Sequence, residues 1–92
     1  MPNELVPSAH RDVGIYYEAD FGICEINITA PNEHGPFSWL IDTGHATIQP
    51  DGESWPLVTE AYLHGLRAAV SYFATQTAPI EKALRQQEAR HA

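Results

Sequence analysis

The chain has 92 residues and a formal net charge of −7, with 12 Asp and Glu against five Lys and Arg. A chain of this length forms one domain with one core, and its acidic excess argues against direct binding to nucleic acid or anionic lipid, both of which require cationic patches. No apolar run is long enough for a signal peptide or a membrane helix, and the lone Cys24 cannot form an internal disulfide, so we expect a cytoplasmic protein.

The first half of the chain has the alternating pattern of β-strands. After residues 1–12, which we expect to form a flexible arm, "VGIYYEA" and "ICEINITA" alternate apolar and polar residues. In the second of these segments Ile26 and Ile28 share one face, and Glu25 lies on the other. "FSWLI" and "HATIQ" resume the alternation on either side of an Asp-Thr-Gly sequence. The pattern predicts four strands in two hairpins within residues 13–50.

The second half of the chain changes to a helical period. Apolar residues recur every three or four positions after Pro56, and Pro79 restarts the pattern in a shorter segment, which predicts two helices over about residues 56–90. One flank of the first helix is made of small residues, which allow another backbone to approach closely. The candidate packing residues on this helix are Ala61, Gly65, Ala68 and Tyr72. Either the C-terminal helix or a second copy of the chain would pack there, and the second arrangement would make a homodimer.

Together these elements predict an α+β fold. An antiparallel sheet of about four strands is packed by one main helix and is followed by a shorter terminal helix, in a single domain over residues 13–92. The order of the strands within the sheet is left open by the sequence pattern.

The charges are distributed unevenly along the chain. Not one Lys or Arg occurs from Asp12 to Leu66, where nine carboxylates give a charge of −9, whereas the cations exceed the carboxylates from Arg67 onward. This distribution favours a basic partner protein, and the alternative is that the carboxylates only keep a small domain in solution. We predict a partner-binding surface centred on Trp55, because a tryptophan beside carboxylates can anchor an interface. Its acidic members would be Glu33, Asp42, Asp51 and Glu53.

The Asp-Thr-Gly at residues 42–44 invites a catalytic interpretation. "ICEINITA" followed by "PFSWLIDTGHATI" resembles the strands that carry the catalytic carboxylate of retroviral-type aspartic proteases, which implies that Asp42 is one half of a carboxylate dyad completed by a second subunit. The chain departs from that family at His45, where a small residue is usual, and it has a helical pattern where the glycine-rich flap would lie. A hairpin turn explains the same letters, since Asp accepts backbone hydrogen bonds and Gly supplies a positive φ, and we favour it.

Other catalytic or metal-binding patterns are not found in the sequence. The five histidines have no tight ligand spacing, and Cys24, which we expect to be a buried apolar residue, has no neighbouring Lys or Arg to activate its thiol. No Gly-x-Ser-x-Gly elbow and no glycine-rich phosphate loop occurs. We therefore predict a protein that is not an enzyme and that holds no metal or cofactor.

Two further resemblances concern the order of elements. The segment "FSWLIDTGHATIQPDGESWPLVTEAYLHGLRAAVSYF" has the order strand, turn, strand, acidic loop, helix. This layout resembles small acidic proteins of phages and other mobile elements, among them anti-CRISPR inhibitors of type I interference complexes, and implies an inhibitor that occupies a nucleic-acid-binding surface of its partner. It also resembles the antitoxins of bacterial HicA-HicB systems, which implies a small regulatory domain. A helix-turn-helix with basic residues, which would bind DNA directly, is not visible in the sequence.

Overall fold

The computed structural model describes residues 4–91, with side chains up to Arg90. Five strands form one antiparallel sheet in which each strand pairs with the next one along the chain. Two helices follow the sheet, so the predicted α+β class is confirmed. The strands are β1 (Val6–Pro7), β2 (Ile15–Asp20), β3 (Glu25–Thr29), β4 (Ser38–Asp42) and β5 (Thr47–Ile48), and the helices are α1 (Val58–Tyr72) and α2 (Ala78–His91).

The sheet has one strand more than the four expected, because β1 lies within the segment predicted to be a flexible arm. Val6 pairs with Glu18 and Pro7 pairs with Tyr17, and the Ser8 N–H donates to the Tyr16 carbonyl at 3.0 Å. Two residues are too few to display an alternating pattern, so this strand leaves no signal in the sequence. Residues 1–3 of the expected arm lie outside the described residues.

One face of the sheet forms the core together with α1. Ile26 pairs with Ile41 and Ile28 pairs with Trp39 across β3 and β4, and none of these four side chains is more than 8% exposed. Each fully buried aliphatic side chain of this size stabilises the fold by about 1.5–3 kcal/mol. The hydrophobic effect therefore fixes which face of β3 and β4 points toward α1.

At Gly65 the small-residue flank of α1 packs on the sheet, and not on the C-terminal helix or a second copy of the chain. A Cβ added at Gly65 would lie 3.0 Å from the Trp39 Cβ and 3.3 Å from the Ile26 Cγ2. Ala61, one turn earlier, is completely buried, and Ala68 is partly buried. Tyr72 is 52% exposed and its ring lies 5.0 Å from that of Phe73. The close approach at Gly65 is made by side-chain atoms of Trp39 in β4 and Ile26 in β3.

Helix α2 packs on α1. Ile80 is completely buried, Ala83 is 7% exposed, and both belong to the same core cluster as the sheet residues. On the surface, the Arg67 guanidinium and the Glu88 carboxylate lie 3.3 Å apart and connect the two helices. Neither of the two helices described is long and apolar enough to cross a membrane.

Candidate functional site

The face of the sheet opposite α1 carries all four acidic side chains of the strands. Residues alternate between the two faces of a strand, so the positions between the buried residues of β3 and β4 point away from α1. We call this surface the open face. From β2 to β4 it presents Glu18, Asp20, Glu25, Asn27, Thr29, Ser38, Leu40 and Asp42.

Four carboxylates are brought together at one end of the open face. Asp20 on β2 pairs with Glu25 on β3, and Glu25 pairs in turn with Asp42 on β4. Glu18 lies two residues before Asp20 on the same face of β2. Side chains of directly opposed residues in an antiparallel pair start about 5 Å apart at Cβ, so these carboxylates are neighbours. We call Glu18, Asp20, Glu25 and Asp42 the carboxylate cluster.

Two members of the cluster belong to turns. The Gly22 N–H donates to Asp20 Oδ1 at 2.8 Å, and the Gly44 N–H donates to Asp42 Oδ1, also at 2.8 Å. Both glycines have a positive φ, +86° and +85° respectively, which is why glycine occupies these positions. The interpretation of Asp-Thr-Gly as a hairpin turn is confirmed.

Thr43 completes the second turn. Its hydroxyl accepts a hydrogen bond from the Ala46 N–H at 3.0 Å, and its backbone N–H donates to the Ala46 carbonyl, also at 3.0 Å. The geometry of the β4–β5 connection therefore explains why Asp42, Thr43 and Gly44, the residues that suggest a protease, occur in this order.

Glu25 occupies the centre of the cluster and is affected by all of its neighbours. Burial raises the pKa of the Glu25 carboxyl above its ordinary value of 4.5, and repulsion from Glu18, Asp20 and Asp42 raises it further. The side-chain amide of Asn27 lowers the pKa of Glu25, as a hydrogen-bond partner of the carboxylate. Like charges placed directly opposite each other destabilise a sheet. The fold thus retains a repulsive arrangement at this site.

The ion pairs found within residues 4–91 lie outside the cluster. Glu33 pairs with His34 at 3.5 Å in an exposed loop, and Arg67 pairs with Glu88 between the helices. The Arg11 guanidinium lies 5.4 Å from the centre of the Tyr16 ring. In the described part of the chain, no cationic side chain forms an ion pair with the carboxylate cluster.

Asn27 is the second unusual feature of the open face. Its side chain is 5% exposed, and its Oδ1 atom is buried without a hydrogen-bond partner among the described residues. The pairing register places Asn27 between Glu18 on β2 and Leu40 on β4, with Glu25 two residues away on the same face. A buried acceptor left unpaired costs about 1–3 kcal/mol. This amide lies at the edge of the carboxylate cluster.

A shallow hollow of about 230 Å³ separates the two hairpin turns beside the cluster. Cys24 is one of the residues that line it and is 4% exposed. Burial, with a smaller contribution from the charge of Asp20, raises the pKa of the Cys24 thiol to about 11. The thiol is therefore protonated at neutral pH, and a protonated thiol is a poor nucleophile. The prediction that Cys24 is a buried apolar residue without activation is confirmed.

Trp55, the predicted centre of a partner surface, packs within the protein. Its ring stacks on His64 of α1, with centroids 4.5 Å apart and planes 15° from parallel. Its backbone pairs with Phe37 through two hydrogen bonds of 2.7 Å. Trp55 therefore attaches the chain segment before α1 to both the sheet and the helix, and its ring is half-buried in doing so.

The four acidic residues predicted to surround Trp55 do not form one cluster. Glu33, Asp51 and Glu53 are exposed in loops, and the Glu53 carbonyl accepts a hydrogen bond from the Ser38 hydroxyl at 3.0 Å. Asp42 lies at the opposite end of β4 from Ser38, about 14 Å away at 3.4 Å per residue. Its neighbours are the other members of the carboxylate cluster, which the sequence prediction does not include.

Within residues 4–91, no group of three or more His, Cys, Asp or Glu side chains is arranged so that it could hold a metal ion. Comparisons of the chain with models of known families, with curated proteins and with solved structures find no match. The open face, with its geometry and charge, is therefore the candidate functional surface.

Proposed function

We propose that this protein is a non-enzymatic binding module that uses its open face to hold a basic surface of a partner protein. The observation that supports the proposal is the position of Glu25, which lies between Asp20 and Asp42 with a raised pKa and without an ion pair among the described residues. A cationic partner would relieve this repulsion, so part of the energy that destabilises the free protein would become binding energy.

Nucleic-acid-binding proteins provide the type of basic surface that would fit. Such surfaces are lined with Lys and Arg that neutralise the negative phosphates of the nucleic acid. A row of carboxylates is negatively charged, as the phosphates are, and would attract the same Lys and Arg side chains. The resemblance of the sequence to phage-encoded inhibitors agrees with this assignment, because an inhibitor of that kind would compete with DNA or RNA for its partner. The exposed loop residues Glu33, Asp51 and Glu53 would add to the long-range attraction rather than to the contact.

The experiment compares two variants that each lose two charges. Glu18→Gln with Glu25→Gln removes charge from the open face, and Asp51→Asn with Glu53→Gln removes it from the loop before α1. Binding to an unstructured peptide with four basic residues, mixed Arg and Lys, is measured by titration calorimetry at low and high salt. We expect the first variant to bind about tenfold more weakly than the parent, about 1.4 kcal/mol, and the second to lose much less.

Salt and chemical-shift measurements complete the test. Binding by the parent should weaken as salt increases, since exposed charges are screened over a Debye length of about 8 Å at physiological ionic strength. Amide shifts should concentrate in β2, β3 and β4. If the two variants bind equally well, the carboxylates only keep the domain in solution and the proposal is wrong. A parent protein that binds no basic peptide at low salt would contradict the proposal as well.

A further inference from the structure

A cavity of about 760 Å³ lies between the two helices and the chain segment that leads into β1. Its volume is within the range of about 300–1,000 Å³ that is usual for small-molecule sites. None of the open-face residues named above lines it, so a function of this cavity is separate from the proposed one. The residues of its wall that matter most are Glu4, Leu5, Thr59, Tyr62, Ala83 and Arg90.

Tyr62 presents its hydroxyl to this cavity. The residue is only 2% exposed, and a buried tyrosine hydroxyl usually has a hydrogen-bond partner. Among the described residues this hydroxyl makes no hydrogen bond, and it is not one of the atoms that are fully buried without a partner. It therefore keeps some accessible surface, which lies in the cavity that Tyr62 lines. Burial raises the pKa of Tyr62 to about 12, so the hydroxyl retains its proton at neutral pH and can donate.

The other polar groups of the wall favour a negative charge in the cavity. Arg90 is exposed, forms no ion pair with a described residue, and lies close enough to the Tyr62 hydroxyl to oppose part of the rise in its pKa. Thr59 lies in the first turn of α1, where backbone N–H groups lack an acceptor within the helix and create a partial positive charge. Glu4 is the one carboxylate of the wall. Three groups that attract an anion therefore oppose one that repels it.

We propose that this cavity binds a small organic carboxylate, whose oxygens accept hydrogen bonds from the Arg90 guanidinium and the Tyr62 hydroxyl. A guanidinium can donate two parallel hydrogen bonds to one carboxylate, which makes this pair both strong and selective in geometry. The apolar side chains of Leu5 and Ala83 contact the hydrocarbon part of the ligand. The site does not depend on the basic-partner surface, and either can fail without the other.

The test uses hexanoate and hexanamide, which have the same hydrocarbon chain and differ in charge. Each is titrated into the full chain, and binding is followed through the amide resonances of the protein. We expect hexanoate to shift the resonances of Leu5, Tyr62 and Ala83 and to bind about tenfold more tightly than hexanamide, because hydrogen bonds to charged groups are the stronger ones. Equal binding of the two probes, no binding of hexanoate, or shifts confined to residues outside the cavity overturns the proposal.

Three variants assign the binding to named groups. Arg90→Gln should weaken hexanoate binding about tenfold and leave hexanamide binding unchanged, and Tyr62→Phe, which keeps the buried ring, should weaken hexanoate binding about threefold. Arg85→Gln is the matched control, because Arg85 is an exposed arginine of α2 that does not line the cavity. It should bind hexanoate as the parent does. If it weakens binding as much as Arg90→Gln, the attraction comes from the overall charge of α2 and the proposal is wrong.

Discussion

Asp20 and Asp42 each accept a hydrogen bond of 2.8 Å from the glycine two residues ahead, and this contact is sufficient reason for an aspartate at each position. Glu18 and Glu25 accept no such bond from a turn among the described residues. Glu25 also places a third carboxylate between two that the turns already require. At the scale of single residues, Glu18 and Glu25 are therefore the members of the carboxylate cluster whose negative charge has no role in a turn.

Replacing Glu25 with Gln should stabilise the protein at pH 7. The variant removes repulsion from the carboxylates directly opposite, which is worth about 0.5 kcal/mol for a cross-strand pair of like charges. Unfolding in urea measures the change, with the exposed Glu53→Gln as a control that should have a smaller effect. A less stable Glu25→Gln variant would show that the favourable contacts of the carboxylate outweigh its repulsion in the native state.

The same substitution should change the pH dependence of stability. The pKa of Glu25 is higher in the folded protein than its ordinary value of 4.5, so the folded state binds more protons between these two values. The contribution of Glu25 to the stability of the parent consequently falls as pH rises through this interval. Gln does not titrate, so the difference in unfolding free energy between variant and parent should grow from pH 4 toward neutral pH and then stay constant.

Asp42 offers a pair of substitutions that separates its charge from its hydrogen bond. Asp42→Asn retains an oxygen that accepts from the Gly44 N–H, and it should fold with the stability of the parent or slightly more. Asp42→Ala leaves the turn without this acceptor and should cost about 1 kcal/mol. Urea unfolding of the two variants makes the comparison. Equal stability of both would mean that the Asx turn contributes nothing.

At the scale of elements, Gly65 determines how closely α1 lies on the sheet. Gly65→Ala adds a Cβ 3.0 Å from the Trp39 Cβ, which cannot rotate away because it is fixed to the backbone of β4. Overpacking of this kind costs about 1–3 kcal/mol, against a gain of about 1 kcal/mol in helix propensity. We expect a net loss of about 1 kcal/mol in thermal or urea unfolding. The exposed Ser71→Ala on the same helix gains propensity without a clash and should be slightly stabilising.

The element pattern also shows where prediction from sequence succeeds. Alternation correctly indicates that Ile26 and Ile28 share a buried face and that Glu25 faces the other way. It does not reveal that Asp20 and Asp42 flank Glu25, because the register between strands depends on loop length and turn geometry. The stacking of Trp55 on His64 is equally hidden, since it joins residues in different elements through the tertiary fold.

At the scale of the whole molecule, the sheet, α1 and α2 share one apolar core. Ile80 of α2 is as fully buried as Ile26 and Ile41 of the sheet, and all three belong to the same cluster. An element that shares its core with the rest of a small domain should unfold with it rather than separately.

Ile80→Ala tests this cooperativity. Loss of a buried isoleucine side chain costs about 2–5 kcal/mol, and we expect a value near the middle of that range for the whole domain. Tryptophan fluorescence reports on Trp39 and Trp55, whereas far-UV circular dichroism is dominated by the helices, and the two transitions should coincide. Separate midpoints would mean that α2 detaches as an independent unit.

Both edge strands of the sheet are short within the described residues. β1 and β5 contain two residues each, and Pro7 in β1 has no N–H to offer to another chain. Short edge strands that contain proline hinder hydrogen bonding between the sheets of neighbouring molecules. They also offer a peptide few backbone N–H and C=O groups with which to pair as an added strand. A partner that binds the open face as proposed would therefore engage side chains, and its selectivity would depend on the residues it presents rather than on its ability to become a sixth strand.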